Sequence, residues 1–322
     1  MHAIILTAGE GARLGSWTSN RPKGMVPIGN RPILDYLVRG IVKSGVKKIH
    51  MVVGYSKNSV MSYFGDGSSF GAKISYFFQE KRTGTLEAMR IGMSDDISDF
   101  ILVPGDNYVS SDSFSKLRAA KGLALLSGKA DRWSKWGEIE LEKGKPKITF
   151  DNPEAYQRIH FTGIAKLNSQ TADELINSSG KHIGEALELI LPNSDFEVVE
   201  SKHWHNIVYP WDLISGNRVA FIDNQLYRSG KIERNVTIKG EVSIGKGTII
   251  RSGTYLVGPI SIGDSCDIGP NSVIGPSVSL GDNVQIGSFS EILDSIVMKN
   301  CEIGSYCSLK GTVVGENSSL GS

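Results

Sequence analysis

One spacing limits what this chain can fold into. Val236, Val242, Thr248, Thr254, Ile260 and Cys266 recur every sixth residue, and Ile238, Ile244, Ile250, Leu256, Ile262 and Ile268 do the same two places later. Both rows run on to Ile296 and Met298, and a third register carries Gly245, Gly263, Gly269, Gly275, Gly281 and Gly287. A period of six over so many turns means a solenoid, with small and branched side chains stacked inward coil on coil. The glycines are expected at corners where an ordinary side chain would be strained. After Ile296 the register slips by one residue and resumes at Cys301, Ile303, Cys307 and Leu309, which predicts a bulge or turn rather than a lost repeat.

The chain before the repeats reads differently. Up to about residue 130, apolar runs alternate with helical patterns: Ala3 to Leu6, a helix from Ile33 to Ser44, Lys48 to Val53, a helix near Val60, Ile74 to Gln79, a helix from Thr85, and Phe100 to Val103. This predicts an α/β layer with a mostly parallel sheet. Ligands of such sheets gather at the carboxyl ends of the strands, where Gly9, Gln79 and Asp106 each fall. From Trp133 to Trp211 the periodicity is less clear, with strand-like pieces at Glu138 to Leu141, Ile148 to Phe150, Ile159 to Leu167 and Phe196 to Glu200, and a helix at Ile183 to Leu191. A helical segment, Trp211 to Ser229, leads to the repeats.

The loop after the first run is Leu6-Thr7-Ala8-Gly9-Glu10-Gly11-Ala12-Arg13-Leu14. Its two glycines leave backbone amides free to close on an anion, and Arg13 and Lys23 bring a planar fork and a point charge to the same place. A dinucleotide fingerprint would need a small residue where Leu14 stands, and a Walker loop would need Gly-Lys-Ser/Thr, so neither applies. Asp106 follows the Phe100–Val103 run and is placed to hold a hard cation such as Mg²⁺ against phosphate oxygens, although a turn with Gly105 and Asn107 would use the same residue. Gln79 offers paired donor and acceptor atoms that suit a nucleobase edge, Gly84 lets a flat ring approach, and Thr85 is also a plausible helix cap. His203 and His205 alternate like strand residues, but no third ligand accompanies them, which argues against a metal there.

The 322 residues carry 35 Lys plus Arg against 34 Asp plus Glu, a formal net charge of +1. No run of like charge indicates nucleic acid, and no apolar run is long enough to cross a bilayer. Cys266, Cys301 and Cys307 have neither metal-site spacing nor an even count, which points to a reducing, cytoplasmic setting.

Taken in order, Gly9-x-Gly11-x-Arg13-Leu14, Thr18, Arg21-Pro22-Lys23-x-Met25-x-Pro27, Pro32-Ile33-Leu34, Gln79, Gly84-Thr85, Gly105-Asp106, Gly137, Gly163-Ile164 and Trp204-x-Asn206-Ile207 resemble the sugar-1-phosphate nucleotidylyltransferases that carry C-terminal hexapeptide repeats. The resemblance implies a Rossmann-like mixed-sheet nucleotidyltransferase domain, residues 1–230, followed by an all-β left-handed parallel β-helix, residues 231–322. It implies transfer of a nucleotidyl group from a nucleoside triphosphate to a sugar 1-phosphate, with pyrophosphate released. By the same resemblance Arg13 faces the β- and γ-phosphates, Lys23 bridges the α-phosphate and the sugar phosphate, and Asp106 with Asn206 holds Mg²⁺. Leu6, Ala8, Gly9, Gly11, Gln79, Gly84 and Thr85 would bind the nucleotide, and Gly137, Asp151, Asn152 and Thr162 the sugar.

Asn152 stands where relatives often carry lysine, and Asn206 where many carry aspartate. These positions leave a second reading open, a weakly active or inactive relative that binds nucleotide-sugar as a regulatory or assembly subunit. Some relatives acetylate amino sugars with their β-helix, using a histidine base; here the repeats contain no histidine, so acetyl transfer is not expected. The repeats are expected to serve homo-oligomerisation instead.

Overall fold

Strand β1 (His2–Thr7) lies at the centre of the first layer, and its near-continuous apolar run is what a strand covered on both faces requires. The computed structural model describes the whole chain except residues 82, 130–136, 143–144, 150–158, 181, 224–225 and 322, and the side chains at 140–142, 145–147 and 149. Two compact units result: Met1–Val26 with Ile33–Val208, and Pro27–Pro32 with Tyr209–Ser322.

In chain order the elements after β1 are a hairpin of β2 (Pro27–Ile28) and β3 (Arg31–Pro32), α1 (Ile33–Lys43), β4 (Lys48–Val53), α2 (Lys57–Phe64), β5 (Lys73–Phe78), α3 (Thr85–Gly92), β6 (Asp99–Pro104) and β7 (Asn107–Val109). Then come α4 (Ser111–Ala119), β8 (Leu123–Lys129), β9 (Glu138–Glu142), β10 (Lys145–Thr149), β11 (Ile159–Asn168), α5 (Ser169–Ile176), α6 (Ile183–Ile190), β12 (Phe196–Glu200), β13 (Trp204–Asn206) and α7 (Asp212–Ala220). The main sheet of the first unit runs β10-β9-β11-β6-β1-β4-β5, with β8 paired to β11 and β12 paired to β8. β6, β1, β4 and β5 are mutually parallel, whereas β11 is antiparallel to β6, so the sheet is mixed as expected. α1 buries Ile33, Leu34, Leu37, Val38 and Ile41 along one stripe, the spacing of a helix laid on a core. Its buried Asp35 accepts from Arg39 Nε at 2.6 Å and Tyr63 Oη at 3.0 Å, so the charge is not left alone in the interior.

The ladder continues past the strand ends. Gly105 N donates to Leu6 O at 2.9 Å, Gln79 N to Val53 O at 2.9 Å and Tyr55 N to Ala8 O at 3.2 Å. The loops at the carboxyl edge are thereby fixed to one another, and that edge is where the functional residues gather.

In the second unit, three sheets of parallel strands stack coil on coil, the arrangement of the left-handed β-helix. Ile244, Ile250, Leu256, Ile262, Ile268, Ile274 and Leu280 form its interior. The second inward row is used for hydrogen bonding: Thr248, Thr254, Ser272 and Ser290 donate their hydroxyls, at 2.7 to 3.0 Å, to the carbonyls of Gly263, Gly269, Gly287 and Gly304 on the next coil. Buried hydroxyls are thus satisfied by the coil above.

Two expectations change here. Apart from Gly275, at φ +99°, the glycines of the regular register, such as Gly245 and Gly269, do not take positive φ; a Cβ on Gly245 would come within 2.3 Å of Gly263 O, and one on Gly269 within 2.5 Å of Ile286 O. Close approach of coils, not backbone strain, demands all of them but Gly275, where both apply. The left-handed corners belong instead to other positions, among them Ser265, Asn271, Asn283 and Asn300. The register shift also falls earlier than expected: Ile260 pairs with Val278, a step of 18 residues, but Ser279 pairs with Ile296, a step of 17. The shortened corner contains Asp294, so Val297 rather than Met298 continues the inner row.

The division of the units at Val208 and Tyr209 differs from a boundary at 230, because α7 clusters with the coils. Asn217 of α7 accepts from Gly29 N at 2.8 Å and Ser279 Oγ at 2.6 Å, and donates to Ser277 O at 2.9 Å. Asn30, between β2 and β3, donates to Ser261 O at 2.9 Å and Leu280 O at 2.6 Å.

Candidate active site

Three carboxyl-edge loops enclose a cavity of about 460 Å³ in the first unit. Leu6 to Gly9 and Gly11 to Arg13 form one side, Gln79 with Gly84, Thr85 and Ala88 another, and Pro104 to Asp106 with Lys23 and Gly24 a third. The candidate residues Leu6, Ala8, Gly9, Gly11, Arg13, Lys23, Gln79, Gly84, Thr85 and Asp106 therefore share one space.

Glycine makes the convergence possible. Gly11 takes φ +75°, and a Cβ there would meet Lys23 Cβ at 2.7 Å; a Cβ on Gly24 would meet Leu34 Cγ at 2.5 Å and Gly105 O at 2.7 Å. The segment bearing Lys23 is thus pressed between the glycine loop and the Asp106 loop. Thr18, buried, donates to Gly11 O at 3.3 Å and Gly15 O at 3.2 Å, which braces the glycine loop from behind. Lys23 Nζ reaches Asp106 Oδ2 at 2.8 Å, with both side chains more than four-fifths shielded from solvent. Arg13 is exposed on the rim of the same cavity.

Gln79 is buried and donates through Nε2 to Gly84 O at 3.2 Å, closing the 79–84 loop on itself. Gly84, at φ 117°, is the residue before α3, so Thr85 starts that helix rather than capping it. The Thr85 hydroxyl accepts from Ile183 N at 2.9 Å, which docks the start of α6 beside the cavity. His182, next to Ile183, lines the cavity and is not among the sequence candidates; nothing in its local pattern distinguishes it from a surface histidine.

Asn206 does not line the cavity, but strand pairing brings its segment to Asp106: Asn206 pairs with Asn107, and Ile207 N donates to Asp106 O at 3.1 Å. Both polar atoms of the Asn206 side chain are buried without a hydrogen-bond partner among the described residues. A buried amide oxygen lacking a donor, next to a segment that carries a carboxylate, fits a hard divalent cation. No group of three His, Cys, Asp or Glu suited to a metal occurs among the described residues.

The sugar-side candidates fare differently. Asp151 and Asn152 lie outside the described residues. Gly137 and Thr162 do not line the cavity. Gly137 O accepts from Phe161 N at 3.0 Å, and the wholly buried Thr162 hydroxyl donates to Leu126 O at 2.9 Å and accepts from Ile164 N at 3.2 Å. The Thr162 proton is thus committed to Leu126 O, which leaves its oxygen one acceptor lone pair.

The family comparison agrees with the loop geometry. Residues 2–149 match the nucleotidyl transferase family model and residues 256–322 the GMPPB C-terminal domain. A bifunctional protein GlmU from Methanococcus maripaludis is 34% identical over 262 residues, covering 78% of this chain and 62% of that protein. A bifunctional sugar-1-phosphate nucleotidylyltransferase/acetyltransferase from Sulfurisphaera tokodaii is 30% identical over 274 residues, covering 80% and 65%. The chain thus spans less than two thirds of the length of these curated relatives. A Bacillus anthracis crystal structure described as a glucose-1-phosphate thymidylyltransferase, 21% identical, superposes with a TM-score of 0.64 over 71% of this chain and 98% of its own, which shows the shared fold. The chain carries a nucleotidyl transferase family domain at residues 2–149, and its relatives include sugar-1-phosphate nucleotidylyltransferases. Enzymes of this family generally depend on a divalent metal. No helix among the described residues is long and apolar enough to cross a membrane.

Proposed function

We propose that this chain transfers a nucleotidyl group from a nucleoside triphosphate to a sugar 1-phosphate. The observation that carries the reading is the Lys23–Asp106 contact in a cavity walled by the glycine loop and by Gln79 to Thr85. A phosphate oxygen of the sugar 1-phosphate attacks the α-phosphorus in line; the new P–O bond forms as the bond to the β-phosphate bridging oxygen breaks, and pyrophosphate leaves with that electron pair. The protein's task is positioning and charge neutralisation rather than covalent chemistry.

In this reading the amides of Ala8 to Gly11 and the Arg13 guanidinium hold the β- and γ-phosphates, and Lys23 holds the α-phosphate against the incoming sugar phosphate. Gln79 and Gly84 take the base, with Leu6 and Thr85 shaping that side. Asp106 and Asn206 supply carboxylate and amide oxygens to Mg²⁺, which would neutralise phosphate charge. The sugar side is left to the 137–162 region. The β-helix serves homo-oligomerisation, for which analytical ultracentrifugation is the check, and the three thiols suit the cytoplasm.

A pyrophosphate-release assay over a matrix of nucleoside triphosphates and sugar 1-phosphates with Mg²⁺ tests the reading. At least one pair should turn over. No turnover with any pair, alongside retained nucleotide-sugar binding by calorimetry, would replace it with the regulatory-subunit reading.

A further inference from the structure

We infer that Trp204 and Asn107 are positioning residues that set Asn206 for cation binding, an inference that rests on the nucleotidyl-transfer reading of the site. Asn206 sits in a three-residue strand that, among the described residues, pairs with β7 alone, and a two-stranded ribbon is marginal by itself. Its amide is buried with neither polar atom partnered among the described residues, a cost of desolvation that the surrounding fold must offset. Something has to hold that amide in place.

The clamp reaches back from two pairs further along. Trp204 Nε1 donates to Asn107 Oδ1 at 3.0 Å, and Asn107 Nδ2 donates to Thr162 O at 3.3 Å, both in buried surroundings. Asn107 is wholly buried and uses the two ends of its amide on two different strands, β13 and β11. Gly128 on β8 gives the indole its space: a Cβ there would come within 2.8 Å of Trp204 Cβ and Cε3. Ser110 N donates to His203 O at 3.0 Å, extending the ribbon behind Trp204.

Position in the chain turns this clamp into a positioning device. Asn107 directly follows Asp106, and Trp204 lies two residues before Asn206 on the same face of its strand. The Trp204–Asn107 bond therefore locks the register of the two segments that carry the proposed metal ligands, and a one-residue slip would turn Asn206 to the opposite face. Each residue type is specific to the task. Phenylalanine would fill much of the indole's space but has no N–H, and aspartate at 107 could accept from Trp204 yet could not donate to Thr162 O. Neither Trp204 nor Asn107 lines the cavity, so each acts through Asn206.

The test is Mn²⁺ binding to the full chain without nucleotide, followed by the electron paramagnetic resonance of free Mn²⁺, together with the Mg²⁺ dependence of pyrophosphate release. Trp204→Phe should weaken Mn²⁺ about tenfold or more, the range seen when groups behind a metal ligand are lost. It should raise the Mg²⁺ needed for half-maximal rate in parallel, and leave nucleotide KM at saturating Mg²⁺ within about twofold of the wild type. Asn206→Ala should weaken Mn²⁺ similarly, and the double variant should lose little more than either alone. If Trp204→Phe folds poorly by circular dichroism, Asn107→Ser replaces it with the same expectations. Wild-type Mn²⁺ affinity in a folded clamp variant, with Asn206→Ala impaired, would overturn the inference while leaving the transferase reading intact. Failure of the wild type to release pyrophosphate with any pair would instead remove the reading beneath it.

Discussion

Lys23 Nζ and Asp106 Oδ2 meet at 2.8 Å although 83 positions separate them in the chain. Each charge offsets the other in a largely shielded place, so a ligand that takes only one of them weakens the electrostatic balance of the other. A cation on Asp106 with no phosphate competes with Lys23 for the carboxylate, and a phosphate on Lys23 with no cation competes with Asp106 for the ammonium. Arriving together, they give both groups new partners. Mg²⁺ and nucleoside triphosphate should therefore bind with positive coupling of about tenfold or more, equal in both directions. Thermal unfolding with Mg²⁺ alone, triphosphate with chelator, and both together checks this: the combined midpoint shift should exceed the sum of the separate shifts. Additive shifts would show that the pair does not couple the two ligands.

The same pair predicts a kinetic loss. Removing a preorganised charge that faces developing negative charge costs about 10²- to 10³-fold in kcat. Lys23→Ala and Asp106→Ala should each lower pyrophosphate release at least that far, while hydrogen exchange of the β-helix amides stays as in the wild type. Near-normal rates in either variant would contradict the roles assigned to them.

Gly24 has no catalytic atom, yet Gly24→Ala should be nearly as damaging as a change at Lys23. The added methyl would overlap Leu34 Cγ at 2.5 Å and Gly105 O at 2.7 Å, and relief requires moving the Lys23 segment away from Asp106. A cost of about 1–3 kcal/mol in stability is expected from such overpacking, with kcat reduced more than KM. Steady-state kinetics beside a denaturation curve separates the two effects.

Much of this site is legible in the amino-acid sequence. The glycine loop, Gln79 and Asp106 announce themselves because each pairs a chemistry with a strand end, and strand ends follow from local apolar runs; Arg13 and Lys23 stand out by their charge in the segment that follows the first of these ends. The period-six rows are just as local, and they lead directly to the solenoid. What cannot be read in this way depends on contacts between distant segments. Gly24 matters because Gly105 O lies against it, Thr85 because Ile183 N bonds to it, and Trp204 because its partner Asn107 stands 97 positions earlier. Thr162 resembles a pocket residue by its place in the motif order, yet Leu126 O and Ile164 N occupy its hydroxyl. Periodicity marks the repeat glycines as necessary but, except at Gly275, suggests the wrong cause: strain is a property of one residue and can be guessed, whereas coil-to-coil clearance needs both coils.

That clearance is itself testable. Gly269→Ala places a methyl 2.5 Å from Ile286 O, a backbone atom that cannot swing away, and should destabilise the β-helix by about 1–3 kcal/mol. Ser265→Gly, at a left-handed corner with φ 56° and an exposed side chain, should change stability by no more than about 0.5 kcal/mol. Hydrogen exchange of the coil amides is the appropriate probe, because a chain of two units need not unfold in one transition.

Acid should weaken the first unit through His2. Burial, with His50 at a ring-centroid distance of 5.2 Å, holds the His2 imidazole below its ordinary 6.5; Asp96, 3.4 Å from Nε2, opposes the shift, and nearby Lys48 adds to it. The unfolded chain takes up a proton near pH 6.5, whereas the folded chain resists until lower pH. The stability associated with a neutral His2 is therefore complete above about 6.5 and is lost as pH falls from there toward the folded value. The thermal midpoint should decline between about pH 7 and pH 5, the range in which an imidazole titrates, and His2→Gln should flatten that decline. An equal slope in the variant would assign the acid sensitivity to other groups.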